Sequence, residues 1–337
     1  MRQLATIQRI SKLTSIDNAE QIETASILGW KVIVKKGDFK EQDLVVYVEI
    51  DSVLPDKPEF EFLRQRKFRV RTIKLRGQIS QGIAFSIAIL PEGTNISEGA
   101  DVTEILGIEK YIYQIPAQLQ GMIKGDYPSF LQKTDETRIQ VLQDVLTRHK
   151  GTKCYITEKV DGSSATYYYK NGEFGVCSRN LELKESPENT LWKLSKELHI
   201  EEKLRAYGKN IALQGEIIGN GIQKNPLRLD NTKILFFNVF DIDKYSYLDF
   251  ADFKALIDNF ELETVPIIDT NYILTDNMEE LVKLSISNSI INPKIYREGI
   301  VIRPLIEKFD MQLSQGFGSG RLSFKCVNPE YLLKYDA

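Results

Sequence analysis

The sequence predicts an α+β protein of two domains: a small N-terminal β-barrel, then a larger domain of antiparallel β-sheets flanked by helices. Three observations carry this expectation. The 337 residues suffice for two cores of ordinary size. The first hundred or so residues read as short strands separated by turn signals. Beyond them, hairpins and helices mix without the regular strand–helix–strand rhythm of a parallel sheet.

The barrel strands are expected at residues 4–10, 23–36, 43–50, 67–77 and 82–90. Turn signals fall between them at Lys36-Gly37-Asp38 and Pro55-Asp56, and Pro91-Glu92-Gly93 follows the last. Five short strands at this spacing suggest an OB fold, so residues 1–110 are read as an OB-fold nucleic-acid-binding domain. Residues 111–133 carry Pro, Gly and aromatics without periodicity and are read as an ordered linker. Thr134 and Asp135 are expected to cap a helix running to His149, with Ile139, Leu142, Val145 and Leu146 as its apolar stripe. This opens the second domain, residues 134–337. It continues with a turn at Asn171-Gly172, a helix near 191–207, strands at 211–219 and 234–242, helices near 249–259 and 278–285, and closing strands at 299–304 and 321–327.

Composition narrows the function classes. Hydrophobic residues at 42% and charged residues at 27% are ordinary for a globular chain, and no apolar run approaches membrane-spanning length. The opening "MRQLATIQRISKL" lacks the apolar core and cleavage site of a signal peptide, so a cytoplasmic, intracellular protein with no membrane partner is expected. Cys154, Cys177 and Cys326 lie in strand-like apolar runs without C-x-x-C spacing, which predicts buried thiols rather than zinc ligands or disulfides. A net charge of −3 argues against a uniformly basic nucleic-acid coat. Charge is concentrated locally, however: seven of the thirteen residues 64–76 are Lys or Arg and none is acidic. Arg66, Lys67, Arg69 and Arg71 in this patch are candidate phosphate contacts, the competing reading being an edge strand guarded by charge.

The chemistry-bearing stretch is "ITEKVDGSSATYYY", residues 156–169. Alternation puts Tyr155, Thr157, Lys159 and Asp161 on one strand face, so an amine and a carboxylate project side by side. Lys159-Val160-Asp161-Gly162 alone often marks only a turn. Here it is followed, in order, by "SRN" at 178–180, "GEIIG" at 215–219, "FFNVFDI" at 236–242, "REGIVIR" at 297–303 and "SFK" at 323–325. Strict alternation in "FFNVFDI" puts Phe236, Asn238 and Phe240 on one face and Phe237, Val239 and Asp241 on the other. Glu216 and Glu298 stand at strand ends, and such hard carboxylates suit hydrated Mg²⁺ or Mn²⁺ rather than zinc. His149 and His199 have no matched partner in the sequence, so no histidine mechanism is expected, and Ser163 and Ser164 are expected to bond to backbone after the turn.

This motif order resembles that of the covalent nucleotidyltransferases, the superfamily of polynucleotide ligases and RNA capping enzymes, over about residues 134–330. With Val34-Lys35-Lys36-Gly37, "DLVVYVEID", "KLRGQISQG", "PSFLQKTDETRIQ", "EKVDGSSATYY" and "FGVCSRNLEL", the likeness extends over nearly the whole chain. Together these segments look like the Deinococcus-type ATP-dependent RNA ligases, whose OB domain precedes the ligase domain. Capping enzymes and most DNA ligases carry theirs after the last motif, and only twelve residues follow Lys325 here.

The resemblance implies the ligase/capping-enzyme fold and a three-step reaction. Lys159 becomes a lysyl-AMP with ATP, AMP passes to a 5′-phosphate, and a 3′-hydroxyl displaces AMP. It further implies that Asp161, Glu216 and Glu298 serve metal or ribose, with Gly162 beside them. Arg138, in the first turns of the expected helix, Arg179 and Lys325 contact phosphate or ribose. Glu158 reads the adenine edge and Phe240 stacks on the base. Related RNA ligases often carry a second lysine two residues from the Lys325 position. Ser323 and Val327 stand there instead, with Arg321 the substitute considered. The implied substrates are ATP with Mg²⁺ or Mn²⁺ and RNA in a nicked duplex or RNA-containing hybrid, handled by a monomer. A DNA nick ligase and a non-catalytic OB-type RNA-binding protein are the rival readings.

Overall fold

The structure is a computed structural model that describes residues 3–17, 19–76, 78–111, 122–314 and 320–335. Contacts gather the chain into two compact units: Met1–Gln114 with Ile139–Gln143 and Pro329–Ala337, and Ile115–Arg138 with Asp144–Asn328.

In the first unit the strands Trp30–Lys35, Ile22–Ile27, Ala5–Ser15, Leu44–Val48 and Ile83–Ser86 lie side by side in that order. The long strand Ala5–Ser15 serves two partners. Its first half pairs with Leu44–Val48, and beyond an irregularity between Ile10 and Lys12 the second half pairs with Ile22–Ile27. Such a bulge bends a strand and curls the sheet, as a small barrel requires. Ile7, Ile10, Ala25, Ile27, Trp30, Val32 and Val46 are buried by this curl. A hairpin of Thr72–Leu75 with Gln78–Gln81 adjoins the edge, where the Ile33 N–H donates to Ser80 Oγ at 2.9 Å. The expected OB-type sheet is present.

The segment expected as a strand at 67–77 is extended only over Thr72–Leu75. Before it, Pro58–Arg66 winds into a 3-10 helix with Phe60 and Leu63, three residues apart, as its buried face. Lys67 and Phe68 then turn the chain with φ of +51° and +59°. Their N–H groups close onto the carbonyls of Arg64 and Leu63 at 2.9 and 3.0 Å. The basic run is therefore a helix end and a turn, not a continuous edge strand.

The second unit contains two sheets. One holds seven strands, in the order Ile123–Asp126, Leu181–Leu183, Glu173–Cys177, Ser163–Lys170, Ile211–Ile218, Lys233–Asp241 and Ser246–Tyr247. The other holds five, in the order Thr137–Arg138, Phe324–Val327, Gly299–Pro304, Lys153–Lys159 and Ile267–Ile273. Every pairing in both is antiparallel except Thr137–Arg138 with Phe324–Val327. One face of the larger sheet buries Tyr167, Leu213, Phe236 and Val239 against the helices Thr190–Glu197, Ile200–Tyr207 and Phe250–Asn259.

Several local expectations change. The helix expected from Thr134 to His149 is confined to Gln143–His149. Thr137–Arg138 is a strand and Ile139–Val141 a 3-10 turn, because pairing with Phe324–Val327 claims the segment before a helix can start. The helix near 191–207 is two, broken where His199 takes φ +53°. Part of the expected linker, Ile123–Asp126, is a strand, while 112–121 lie outside the described residues. Cys154, Cys177 and Cys326 are free and buried, as expected. The Asn171-Gly172 turn forms with both φ positive, at +52° and +91°, the conformation a tight hairpin needs.

The seam around Gly299 is tight. It pairs with Lys159 on one side and Val327 on the other, and a Cβ there would sit 2.2 Å from the Cys326 carbonyl oxygen. Gly299→Ala is expected to cost about 1–3 kcal/mol or more of unfolding free energy in urea titration, since this backbone contact cannot yield like a side chain.

Candidate active site

The strand Lys153–Lys159 belongs to the five-stranded sheet and Ser163–Lys170 to the seven-stranded one, so the K-x-D-G turn is where the chain crosses between them. Gly162 makes the crossing possible. A Cβ on it would lie 2.1 Å from the carbonyl oxygen of Ile217, on the neighbouring strand. Lys159 thus stands at the end of one sheet and faces side chains from both.

Its amine donates to Glu298 Oε1 at 2.5 Å. Glu298 immediately precedes Gly299, the cross-strand partner of Lys159. Its position is fixed by the Asn328 N–H, which donates to the Glu298 carbonyl at 2.8 Å. The preceding residue is anchored as well: Arg297 donates from Nε to the Ser285 carbonyl at 3.1 Å, at the end of the helix Met278–Ser285. Glu216 comes from the other sheet, paired with Ser164 and Leu235. Burial works to lower the pKa of Lys159, but the charges of Glu298, Glu216 and Asp161 outweigh it and hold the ammonium above its ordinary value. The same crowding acts in reverse on the acids. Burial first, then the neighbouring carboxylates, push Glu216 up to about 8 against the pull of Lys159, and burial raises Glu298 as well.

A cavity of about 90 Å³ opens beside the amine. Lys159, Glu158, Glu216, Phe237, Val301 and Arg303 are among its lining residues. Glu158 is buried, accepts the Ile290 N–H through Oε2 at 2.7 Å, and keeps Oε1 unpaired. Burial raises its pKa despite the Ser289 hydroxyl and the Ile290 N–H, which favour the anion.

Phe240 does not line this cavity. It is fully buried with Leu131, Tyr168, Cys177, Ala212 and Ile242, and meets Tyr247 edge-on with centroids 5.1 Å apart. The cause is a bulge. Gly215 pairs with Phe236 but Gln214 pairs with Asn238, so Phe237 is an extra residue without a partner on the strand Ile211–Ile218. The bulge ends the strict alternation, so Ile234, Phe236 and Val239 share the helix-covered face while Phe237 turns into the cavity. Nothing in the local sequence marks this shift, and sequence reasoning missed Phe237 for that reason.

The cations are sorted by partners. Arg138 lies on a strand rather than a helix, directly paired with Lys325, so the two expected phosphate contacts are neighbours in register. Arg179 is exposed and forms an ion pair with Asp135. Arg321 is not a substitute phosphate ligand. It is buried against Glu307, donates to Asn238 Oδ1 at 2.7 Å and lies 3.8 Å from the Tyr247 ring centroid. Arg303 is the cation that sequence reasoning passed over, although "REGIVIR" contains it. It is 2% exposed, donates to Glu136 at 2.8 Å and to Ser323 Oγ at 3.0 Å, and keeps Nη1 unpaired. Burial opposes ionisation of Glu136, yet Arg303, Arg321 and the Ser323 hydroxyl together hold it below the usual carboxylate range.

Two minor expectations also change. Ser164 shares a hydrogen bond with Thr134 Oγ1 at 2.9 Å, a side-chain partner rather than backbone. His149 pairs with Asp310 at 2.9 Å alongside Arg148, a part-buried polar cluster outside the cavity lining. In the basic run, Arg64 is neutralised by Asp56 and Glu61, and Arg69 pairs with Asp51 while lying 3.9 Å from the Tyr111 ring centroid. Arg66 and Lys67 are exposed, and Arg71 is half-buried.

The donor set fits a hard divalent cation. Glu298 Oε2 is buried without a hydrogen-bond partner, and the neighbouring carboxylates repel one another. Among the described residues no three such side chains converge at ligating distance. A Mg²⁺-like ion commonly takes one or two carboxylates and completes its shell with water and substrate phosphate.

An OB-type sheet joined to a two-sheet unit with a lysine at the crossing defines a nucleotidyltransferase preceded by an OB-fold domain. A model of an OB-fold domain matches residues 4–87, and the RNA ligase family model matches residues 152–327. The chain belongs to the RNA ligase family. Solved structures of Naegleria gruberi RNA ligase are similar over essentially the whole chain. A variant with AMP and Mn has a TM-score of 0.88 at 36% identity, covering 98% of each chain. A variant with ATP and Mn reaches 0.89 at 35% identity with 100% of both covered. The enzyme with PPi gives 0.88 at 36% identity, covering 100% of this chain and 99% of that one. Comparison with curated proteins gives no match. No helix among the described residues is long and apolar enough to cross a membrane.

Two expected outcomes follow from this geometry. A carboxyl raised from 4.5 to about 8 favours its protonated form in the fold, so its stabilising contribution is present below pH 4.5 and lost as pH rises through 8. Glu216→Gln is therefore expected to exceed wild type in urea midpoint at pH 9 and to lose that advantage by pH 5. Phe240→Ala should cost about 3–5 kcal/mol of stability by leaving a core cavity, whereas Phe237→Ala should cost clearly less, as paired thermal melts would reveal.

Proposed function

We propose that this chain is an ATP-dependent RNA ligase of the Deinococcus type, joining a 3′-hydroxyl to a 5′-phosphate through a lysyl-AMP intermediate, with nicks bearing an RNA 3′-hydroxyl strand as its substrate. The observation that carries the reading is Lys159 itself: a half-buried amine at the crossing of two sheets, 2.5 Å from Glu298 and opening onto a cavity lined by Phe237, Val301 and Glu158. The OB-before-ligase order supports the Deinococcus-type assignment, and the similar Naegleria ligase structures with ATP and Mn support the nucleotide and the metal.

In this reading adenine lies between Phe237 and Val301, the cavity's apolar walls. Glu158 Oε1, unpaired at present, accepts the exocyclic amine. Arg303 Nη1 donates to the nucleotide where Ser323 replaces the second lysine of related ligases, and Arg138 and Lys325 face its phosphates. Lys159 loses a proton and attacks the α-phosphorus in line. An N–P bond forms, the bond to the β-phosphate oxygen breaks, and pyrophosphate leaves. AMP then passes to the RNA 5′-phosphate, and the 3′-hydroxyl displaces it. Positioning and charge neutralisation carry each displacement. A Mg²⁺ or Mn²⁺ ion held by one or two of the Glu216, Glu298 and Asp161 carboxylates, with water and substrate phosphates completing its shell, would supply the positive charge that favours the neutral amine. The resting carboxylates alone push that amine the other way. Arg66, Lys67 and Arg71 remain the candidate RNA contacts of the OB domain, Arg69 being committed to Asp51. The buried free thiols suit an intracellular setting, and one chain carries the complete set of side chains, so a monomer suffices.

Incubation with α-labelled ATP and a divalent cation should label wild type, and labelled GTP should not. Lys159→Ala should abolish labelling with an unchanged circular-dichroism spectrum. Acid-labile AMP persisting on that variant would overturn the assignment. Sealing of matched RNA and DNA nicks then tests the sugar preference.

A further inference from the structure

The loop between the strands Ile211–Ile218 and Lys233–Asp241 takes no part in the nucleotide cavity, yet it is built with unusual care. Gln223, Asn225 and Arg228 all adopt φ near +50°, at +51°, +46° and +53°, a region that non-glycine residues seldom occupy. The strain is held in place from several directions. The Asn225 side chain accepts the Leu229 N–H at 3.1 Å and donates to the Leu229 carbonyl at 2.8 Å. Thr232 Oγ1 donates to the Asn220 carbonyl at 2.6 Å, and Asn292 Nδ2 to the Leu227 carbonyl at 3.0 Å. Leu227 is buried with Val160, Ile218, Leu235 and Val265. Gln223 Nε2 donates to the Gly162 carbonyl at 2.9 Å, pinning the loop to the turn that follows Lys159.

What this scaffold presents outward is charge. Asn220, Lys224, Asn225, Arg228, Leu229 and Asp230 line a shallow polar concavity of about 460 Å³. Lys224 and Arg228 are exposed and have no acidic partner among the described residues, in contrast to the ion-paired Arg64, Arg69, Arg179 and Arg321. Asp230 is the single acid in the lining. A compact surface loop closed by its own side chains is a frequent carrier of function. Backbone strain persists where the surroundings over-determine it. Two unpaired cations on such a loop, with no aromatic platform for a base, suit a phosphate-bearing ligand.

We propose that the 219–231 loop is a phosphodiester-backbone contact for RNA, gripping phosphates next to the end being sealed through Lys224 and Arg228. The inference rests on the RNA ligase reading. Gln223 ties the loop to the turn that follows Lys159, and fixed cations on it would hold in register a strand whose 5′-phosphate reaches that lysine, without reading sequence. Because they are presented on a rigid loop, little ordering entropy opposes binding.

The test is the double variant K224A/R228A in the full chain. A fluorescent nicked RNA duplex is titrated from about 50 to 200 mM salt, in parallel with charging by α-labelled ATP. Charging and melting temperature should match wild type, while RNA affinity at the low-salt end falls at least about tenfold. The slope of log affinity against log salt should shrink by about 2, the two phosphate contacts removed. The charge-conserving pair Lys224→Arg and Arg228→Lys should restore binding. Wild-type slope and sealing in K224A/R228A would overturn the proposal, as would a rise in the ATP concentration needed for charging, which would place the loop in the triphosphate site. Should the alanine pair melt lower, Lys224→Gln with Arg228→Gln repeats the slope measurement, and an unchanged slope there counts equally against the loop. Failure of wild type to take label from ATP would instead strike the ligase reading, while the salt slopes still judge the loop.

Discussion

A half-buried ammonium among carboxylates contributed by two different sheets is the constraint around which the larger unit is arranged. Lys159 is held by Glu298 from its own sheet, and Glu216 approaches from the other. Each group alone would be expensive to bury charged. Together they compensate in part, yet Glu216 remains pushed up to about 8. The residual imbalance is one of negative charge. A site in this condition is stable enough to persist and unsatisfied enough to favour an incoming cation, the balance expected where stability is exchanged for function.

The crossing imposes its geometry on the backbone. Gly162 and Gly299 lie where another strand's carbonyl comes within 2.1 and 2.2 Å of the position a Cβ would take. Both glycines flank the lysine, one in its own turn and one directly across the ladder. Close backbone approach at these points is what lets side chains from separate sheets converge on one amine.

A second polar chain shapes the cavity wall. Gln214 Nε2 donates to the Gln132 carbonyl at 2.7 Å, Asn238 Nδ2 to Gln214 Oε1 at 3.2 Å, and Arg321 to Asn238, with Glu307 behind it. These bonds hold Asn238 opposite Gln214, and the unpaired residue beside it, Phe237, turns into the cavity as a consequence. The bulge is therefore a supported feature of the fold, of the kind common next to active sites.

Much of this protein was legible in its residues alone. Period-2 strands and turn signals marked the OB-type sheet, and the ordered series from K-x-D-G to "SFK" marked Lys159, Glu216 and Glu298, which the fold brings together. Those signals are local or depend on residue order, so they survive without coordinates. What required tertiary structure were contacts between segments far apart in sequence. Pairing with Phe324–Val327 turned Thr137–Arg138 from helix to strand and set Arg138 beside Lys325. An extra residue on one strand, visible only against its partner, put Phe237 rather than Phe240 in the cavity wall. Asp51, Asp56 and Glu61 neutralised Arg64 and Arg69, two of the seven cations in what reads as an unbroken basic run, whereas Lys224 and Arg228, in a loop with no basic cluster to advertise it, have no acidic partner among the described residues. Residue type announces which charges exist, but only the packed chain decides which of them are already spent on one another, because Coulomb pairing acts over a few ångströms of space and is blind to sequence separation.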